Sequence, residues 1–359
     1  MSHFLTVLLC LAVGLHAAEP APFQLQPGQF PPENSAHSLA GELIQIDHVN
    51  RTGQLRPDRR SDQRTDDYDR ALLFTMLPYG TMRYHGAPAE LRDIPIGTHL
   101  HGQFYFDAKQ GVPVKGGFGQ VLLLEDDFSF HQRQQSEWRL DAVNLEKRTL
   151  SVTGQSRADQ KADEKPTVFK FNAATRVWKG RGYGALTDLA LGQALLLNVT
   201  LATLKGPGQC TDIWLDDESR TLAAAQQMEV HRAYEKIHGL PGWIEAVDNE
   251  KSIVTVTLFA GRDLEFYKEF KLKGRVLALV AEDTLRSYDQ INDRTDSEVL
   301  EIKTVPLASG SSGLQLVIKP EQLLEGFRPR RIIRMLPEGW GLNDIPWEEM
   351  LWPSDNRIK

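Results

Sequence analysis

An internal repeat is the feature that most constrains how this chain folds. The motif Leu-x-Asp-apolar-x-x-Gly occurs twice with identical spacing, at Leu91–Gly97 and at Leu186–Gly192. Two further blocks recur in the same order between the first two units: Leu43–Asp47 with Leu140–Asn144, and Leu123–Asp127 with Trp214–Glu218. The offsets of all three blocks lie between 91 and 97 residues, and Ile244–Asp248 repeats the Leu43–Asp47 block in a third place. Ordered blocks of this kind predict tandem, structurally related units.

The repeated blocks have the chemistry of strands. Val254–Phe259 and Thr167–Asn172 are rich in β-branched and aromatic residues, and Gly or charged loops separate such segments. About five short strands per unit predict small closed barrels, so we expect a mainly β fold of tandem OB-like β-barrels. A β-sandwich is the alternative that the pattern leaves open. The third unit lacks the Leu-x-Asp motif and is expected to be a diverged barrel.

One segment departs from the β pattern. Ser219–His238 has helical spacing of apolar residues, an acidic start, and Gly239 with Pro241 after its end, which predicts one linking α-helix. We expect Tyr234 and Ile237 on its buried face and His231 on its solvated face. The predicted organisation is a signal peptide at 1–18, a Pro-rich linker at 19–40, barrels at 41–128 and 137–218, the helix at 219–239, the diverged barrel at 240–336 and a Trp-rich tail at 337–359. The tail is expected to fold back over a barrel.

The N-terminus predicts export. Phe4–Leu15 is an apolar run of signal-peptide length, too short to span a bilayer, and the small residues Ala17 and Ala18 follow it. Removal of this segment takes Cys10 with it and leaves Cys210 as the single cysteine, so no intrachain disulfide is expected. We therefore predict a periplasmic or extracellular protein of the cell envelope that is not an integral membrane protein.

The motif at Leu91–Gly97 and Leu186–Gly192 resembles small secreted bacterial barrel repeats that are grouped under a domain of unknown function. The stretch Gly239–Trp243, with Val254–Phe259 after it, is similar to uncharacterised exported proteins of planctomycete-type bacteria. This resemblance implies a fold and a compartment and no activity.

Composition and motifs exclude several functions. A net charge of −7 over 359 residues, without a basic block, argues against nucleic-acid binding. Gly310–Gly313 does not satisfy a nucleophile-elbow motif, and Gly116–Gly119 lacks the features of a phosphate-binding loop. No catalytic residue or cofactor is predicted, and the chain is not expected to be an enzyme.

Two histidines form the candidate site. His99 and His101 lie on a predicted strand, Thr98–Phe106, where a period of two places both imidazoles on one face. Such a pair is able to share a divalent or cuprous metal ion, with His85, Met76 or Met82 as further ligands. The second repeat has Gln193-Ala-Leu195 at this place, so the site belongs to the first unit alone. An exposed, hydrogen-bonded histidine pair without a metal is the alternative.

These features predict an exported binding or scaffold module whose partner is an envelope protein or a glycan. A periplasmic metal-binding protein that uses His99 and His101 is the second hypothesis. The third is a glycan-active enzyme, since its two carboxylates could come from anywhere in the fold.

Overall fold

A computed structural model describes residues 36–58, 71–106, 118–159, 161–163, 165–202, 206–280 and 294–341. Within these ranges the chain is mainly β and forms three closed barrels with one long linking helix, as the sequence predicts. The predicted signal peptide and most of the Pro-rich segment lie outside the described residues. No helix in the described part of the chain combines the length and apolar character that crossing a membrane requires.

The first barrel contains six strands and ends in a short helix. The strands are β1 (His37–Asp47), β2 (Thr52–Pro57), β3 (Leu72–Tyr84), β4 (Ala87–Ala89), β5 (His99–Phe106) and β6 (Phe118–Asp126), followed by helix α1 (Asp127–Arg133). The ring closes in the order β1-β2-β3-β6-β5, and β3 and β6 run parallel while the other neighbours are antiparallel. This order is that of an OB-like barrel. β1 begins at His37, ahead of the predicted start at residue 41.

The second barrel repeats this topology. Its strands are β7 (Ser136–Asn144), β8 (Thr149–Ser156), β9 (Thr167–Lys170), β10 (Arg176–Lys179), β11 (Gly182–Tyr183), β12 (Ala194–Thr200) and β13 (Gln209–Trp214). The ring closes as β7-β8-β9-β13-β12, again with one parallel closing pair.

The repeated Leu-x-Asp motif has the same role in both barrels. Asp93 and Asp188 each end a single turn of 3-10 helix, and each carboxylate accepts a hydrogen bond of 2.8 Å from the backbone N–H three residues earlier, at Glu90 and Ala185. The motif is therefore a turn that leads the chain into β5 or β12.

Helix α2 (Asp217–His238) follows the second barrel. Asp216 caps its first turn by accepting a hydrogen bond from Ser219 N, and Gly239, with a φ of 75°, ends it. The expected orientation is wrong: His231 is fully buried, whereas Tyr234 and Ile237 are half-buried. The helix lies against polar groups of the other units, so a stripe of polar residues, including Gln227 and His231, faces inward.

The third barrel is an all-antiparallel ring. It contains β14 (Leu240–Asp248), β15 (Ile253–Phe259), the short helix α3 (Leu264–Tyr267), β16 (Arg275–Leu279), β17 (Arg294–Thr304), β18 (Ser311–Pro320) and β19 (Ile332–Pro337). The strands close in the order β14-β15-β18-β17-β16-β19. Trp340 folds back onto this barrel, with its ring 4.7 Å from that of Phe266 and its indole N–H donating to Glu269. Trp347 and Trp352 lie outside the described residues.

Candidate functional site

Strand β5 presents the predicted histidine pair. Leu100 points into the core of the first barrel and is fully buried, so its neighbours His99 and His101 share the opposite face. Their ring centroids are 5.0 Å apart. The further ligands suggested by the sequence do not join them: Met76 and Met82 belong to the barrel core, and His85 stacks on Tyr84.

Asp127 completes the group and was missed as a site residue. It is the first residue of α1, and its Oδ1 atom lies 2.7 Å from His99 Nδ1 and 3.0 Å from His101 Nε2. Asp58, just after β2, lies with Oδ2 2.9 Å from His99 Nε2. We call these four residues, Asp58, His99, His101 and Asp127, the cavity cluster.

Docking of the second barrel fixes this arrangement. Val199 N on β12 donates a hydrogen bond of 3.0 Å to Asp127 Oδ2. Beside it, Asn198 accepts from Phe128 N and donates to Asp126 Oδ2, so the start of α1 is bonded to β12. The position of Asp127 is therefore set by two barrels at once.

The cavity cluster holds opposite charges close together. Burial alone lowers the pKa of His99, but the carboxylates of Asp127 and Asp58 raise it to about 10. Burial alone raises the pKa of Asp127, but the imidazolium of His99 and hydrogen bonds from His101 and His99 hold it well below the usual range. The raised pKa and the two short contacts of His99 thus favour a charged imidazole ring between the side chains of Asp127 and Asp58.

The second repeat supplies an internal comparison. Asp126 and Asp216 both cap a helix through the same hydrogen bond to the residue three positions on. The two caps pair Asp127 with Asp217, one position away from the pairing with Glu218 that the sequence blocks predict. The side chain of Asp127 is 9% exposed, whereas that of Asp217 is 90% exposed. The same local motif therefore gives a site residue in the first unit and a solvated one in the second.

A cavity of about 550 Å³ opens beside the cavity cluster, between the first and second barrels. One end is polar and is formed by the cavity cluster itself. The opposite wall is apolar and comes from Trp138, Phe169, Leu197 and Val199 of the second barrel. We call this space the first cavity.

Helix α1 contributes an aromatic ring and a third imidazole to the first cavity. Phe130 stacks on His101 with 3.8 Å between ring centroids and a 10° angle between the planes. His131 lies near Trp138, and burial lowers its pKa to about 4. The ring of His131 is therefore neutral at ordinary pH and adds no charge to the cavity.

A smaller space of about 310 Å³, the second cavity, adjoins the same stacked pair. His101 and Phe130 line both cavities. The remaining wall of the second cavity mixes polar and apolar residues, and its polar members include Gln103, Glu125 and Arg133.

Another buried group of acids and a histidine lies where α2 meets the first and third barrels. Arg262 bridges two carboxylates: its Nη1 donates to Glu90 Oε1 and, at 2.8 Å, to Glu235 Oε1. His231 lies beside them, with Nε2 4.0 Å from Glu235 Oε1. All four side chains are buried. We call Glu90, His231, Glu235 and Arg262 the sealed cluster.

The sealed cluster has a metal-like set of ligand atoms but already contains a cation. Atoms of Glu90, His231 and Glu235 lie within 4.8 Å of one another, as do those of His99, His101 and Asp127. In the sealed cluster the guanidinium of Arg262 occupies the position between the carboxylates. We therefore interpret it as a structural ion-pair network and take the cavity cluster as the candidate functional site.

Comparison with known proteins gives no name to this architecture. No family model and no curated protein matches the chain. Among solved structures, the phage phi92 endosialidase aligns with a TM-score of 0.15 and 6% identity, over 81% of this chain and 34% of that protein. The chain thus spans about a third of that protein, and a likeness this weak carries no argument. The resemblance to planctomycete-type exported proteins stays a prediction.

Proposed function

We propose that the protein is an exported ligand-binding protein that holds one small, partly apolar molecule in the first cavity. The observation that carries the proposal is the composition of this cavity. Binding sites for small molecules are concave spaces of about 300 to 1,000 Å³ with mainly apolar walls and a few converging polar groups. The first cavity, at about 550 Å³, combines an aromatic and aliphatic wall with one imidazole–carboxylate end.

The charges of the cavity cluster restrict the ligand. The carboxyl groups of Asp58 and Asp127 both face the imidazole of His99 at the polar end of the cavity. An anion placed there would lie beside these carboxyl groups, so the cavity favours a neutral molecule that contributes hydrogen bonds there. Its apolar part would lie against Trp138 and Phe169.

The proposal is tested with 2-naphthol, a neutral aromatic probe, by isothermal titration calorimetry. We expect saturable, one-to-one binding to the unmodified protein. Thr167→Trp places a large ring in the first cavity and should weaken binding by about tenfold or more. Val168→Trp is the matched control, because Val168 is the next residue of β9 and is exposed on its other face.

Both tryptophan variants should keep the circular dichroism spectrum of the parent. Absence of saturable binding by the unmodified protein would overturn the proposal. Equal weakening by the two variants would also overturn it, because the probe would then bind outside the first cavity.

A divalent-metal site at His99, His101 and Asp127 is a second candidate. It is favoured by one observation: three ligand atoms from these residues lie within 4.8 Å of one another. Two imidazoles and one carboxylate form a metal-ligand set that leaves coordination positions open. It ranks second because both ring nitrogens of His99 already contact carboxylates.

Calorimetry with Zn²⁺ alone tests this candidate. Stoichiometric uptake that is lost when His99 and His101 are both replaced by alanine, and kept in His48→Ala, would support it. No uptake by the unmodified protein would contradict it.

A glycan-active enzyme stays the third hypothesis, since Asp58 and Asp127 are both hydrogen-bonded to His99 and neither stands apart as an acid or base.

A further inference from the structure

We infer that the first and second cavities together bind a glycoside, with the apolar aglycone in the first cavity and the sugar in the second. This inference rests on the proposed function, because it requires that the first cavity binds a ligand. It adds the class of ligand and assigns the second cavity as a sugar subsite.

The two cavities share one pair of lining side chains. His101 and Phe130 belong to the lining of both spaces. Both side chains are half-buried, and their rings stack face to face at 3.8 Å. Because both spaces contact these two side chains, a ligand long enough to pass over the pair would reach both cavities. An elongated molecule therefore fits the site better than a compact one.

The second cavity has the chemistry of a site for a neutral, hydroxyl-rich group. Its lining includes the amide of Gln103, the hydroxyl of Ser38 and the carboxylate of Glu125. Sugar hydroxyls both donate and accept hydrogen bonds, so they need a mixture of donors and acceptors of this kind. Phe130, whose ring also stacks on His101, adds apolar surface to this lining for the C–H groups of a sugar.

The charges of the second cavity argue against an ionic ligand. Arg133 Nε lies 2.9 Å and 2.8 Å from the two carboxylate oxygens of Glu125. The carboxylate of Glu125 is buried, so its charge is balanced by Arg133 within the lining. The pair leaves no excess charge to attract a phosphate or an ammonium group.

The first cavity accepts the other half of the molecule. Trp138, Phe169 and Leu197 supply an apolar wall that offers little hydrogen bonding to a sugar. The polarity thus changes across the His101–Phe130 pair, as it does across the glycosidic bond of an aryl or alkyl glycoside.

The test compares whole molecules with their halves. Calorimetry is performed with 2-naphthyl β-D-glucopyranoside, 2-naphthyl β-D-galactopyranoside and 2-naphthyl N-acetyl-β-D-glucosaminide, and with 2-naphthol and the three methyl glycosides. We expect at least one naphthyl glycoside to bind about tenfold tighter than 2-naphthol and than its methyl glycoside.

Two glutamine variants show which cavity provides the gain in affinity of the glycoside over 2-naphthol. Gln103→Ala should return the glycoside to the affinity of 2-naphthol and leave 2-naphthol unchanged, because Gln103 lines only the second cavity of the two. Gln120→Ala is the matched control: Gln120 lies on the adjacent strand β6 and lines neither cavity.

The outcomes separate the inference from the proposed function. If 2-naphthol binds and no naphthyl glycoside binds more tightly, the inference is overturned while the first cavity remains a binding site. If a glycoside gains affinity equally in Gln103→Ala and the parent, the sugar lies elsewhere and the inference is overturned. If 2-naphthol does not bind at all, the proposed function fails.

Discussion

The cavity cluster and the sealed cluster are made of the same kinds of residue and behave differently. Each combines two carboxylates with histidine where units meet, but the sealed cluster is wholly buried, whereas the side chain of Asp58 in the cavity cluster is 42% exposed. In the sealed cluster the balancing cation is Arg262, which is fixed between Glu90 and Glu235. In the cavity cluster the balancing cation is an imidazole beside a cavity of about 550 Å³. The two clusters therefore differ in where the balancing positive charge lies, and this position, rather than the residue types, separates a structural network from a candidate site.

His99 of the cavity cluster and His231 of the sealed cluster also differ in their contacts. Both ring nitrogens of His99 lie within 3 Å of a carboxylate oxygen. Neither ring nitrogen of His231 has a hydrogen-bond partner among the described residues. Burial accordingly lowers the pKa of His231, with the neighbouring guanidinium of Arg262 acting in the same direction against Glu235. His99 is held as a cation and His231 as a neutral ring.

Removal of the fixed cation should have the largest effect. Arg262→Met leaves the buried carboxylates of Glu90 and Glu235 without their shared partner, and we expect the free energy of unfolding to fall by about 3 to 5 kcal/mol in urea denaturation. Arg181→Met is the control: Arg181 pairs with Glu218, both side chains are exposed (86% and 59%), and its loss should cost about 1 kcal/mol or less. A loss for Arg262→Met no larger than that of the control would contradict our interpretation of the sealed cluster.

Acid should weaken the sealed cluster through Glu90. Burial alone raises the pKa of Glu90, but Arg262 and Arg51 lower it from 4.5 to about 2. A carboxyl group with a lowered pKa stabilises the folded state above its ordinary pKa, and this contribution is lost as the pH falls towards the folded value. We expect the difference in unfolding free energy between the parent and Glu90→Gln to shrink by roughly 2 to 3 kcal/mol from about pH 5 to pH 2.

Urea denaturation at a series of pH values measures this difference. Carboxyl groups that titrate alike in both proteins cancel in the subtraction. Two stability curves that stay parallel over this range would show that Glu90 is not held ionised by the arginines.

The smallest effects should come from the two histidines, and they should be unequal. His99→Leu leaves Asp127 and Asp58 without their shared partner, although water in the first cavity is able to solvate them, so we expect a loss of about 1 to 3 kcal/mol. His231→Leu removes a buried ring that has no hydrogen-bond partner in the described structure and should change stability by about 1 kcal/mol or less. If His99→Leu and His231→Leu lowered the free energy of unfolding equally in thermal or urea denaturation, the proposed difference between the two clusters would be contradicted.

Much of the fold could be predicted because local patterns determine it. The period of two placed His99 and His101 on one face of a strand, and the repeated blocks predicted two related barrels. These patterns depend on residues that are close in sequence. The sequence signal for Asp127 was also present, in the Asp126–Asp127 pair at the end of β6.

The rest of the site depends on contacts between units, which a single sequence does not encode locally. Nothing in the local pattern separates Asp127 from its exposed counterpart Asp217, since Val199 of the second barrel makes the difference. The orientation of α2 was predicted wrongly for the same reason. The apolar stripe of α2 was expected to be buried. The surface against which the helix packs includes polar groups such as the carboxylate of Asp93, so the face with Gln227 and His231 is buried instead.

The pair formed by Glu90 and Arg262 joins positions 172 residues apart in the chain. Closing so long a loop costs conformational entropy that local strand pairing within a barrel does not. In a chain synthesised from its N-terminus, Glu90 is made well before Arg262, so the first barrel is complete before its carboxylate meets that partner. We therefore expect the junction to form late in folding, as the step that converts a string of separate barrels into one cooperative molecule.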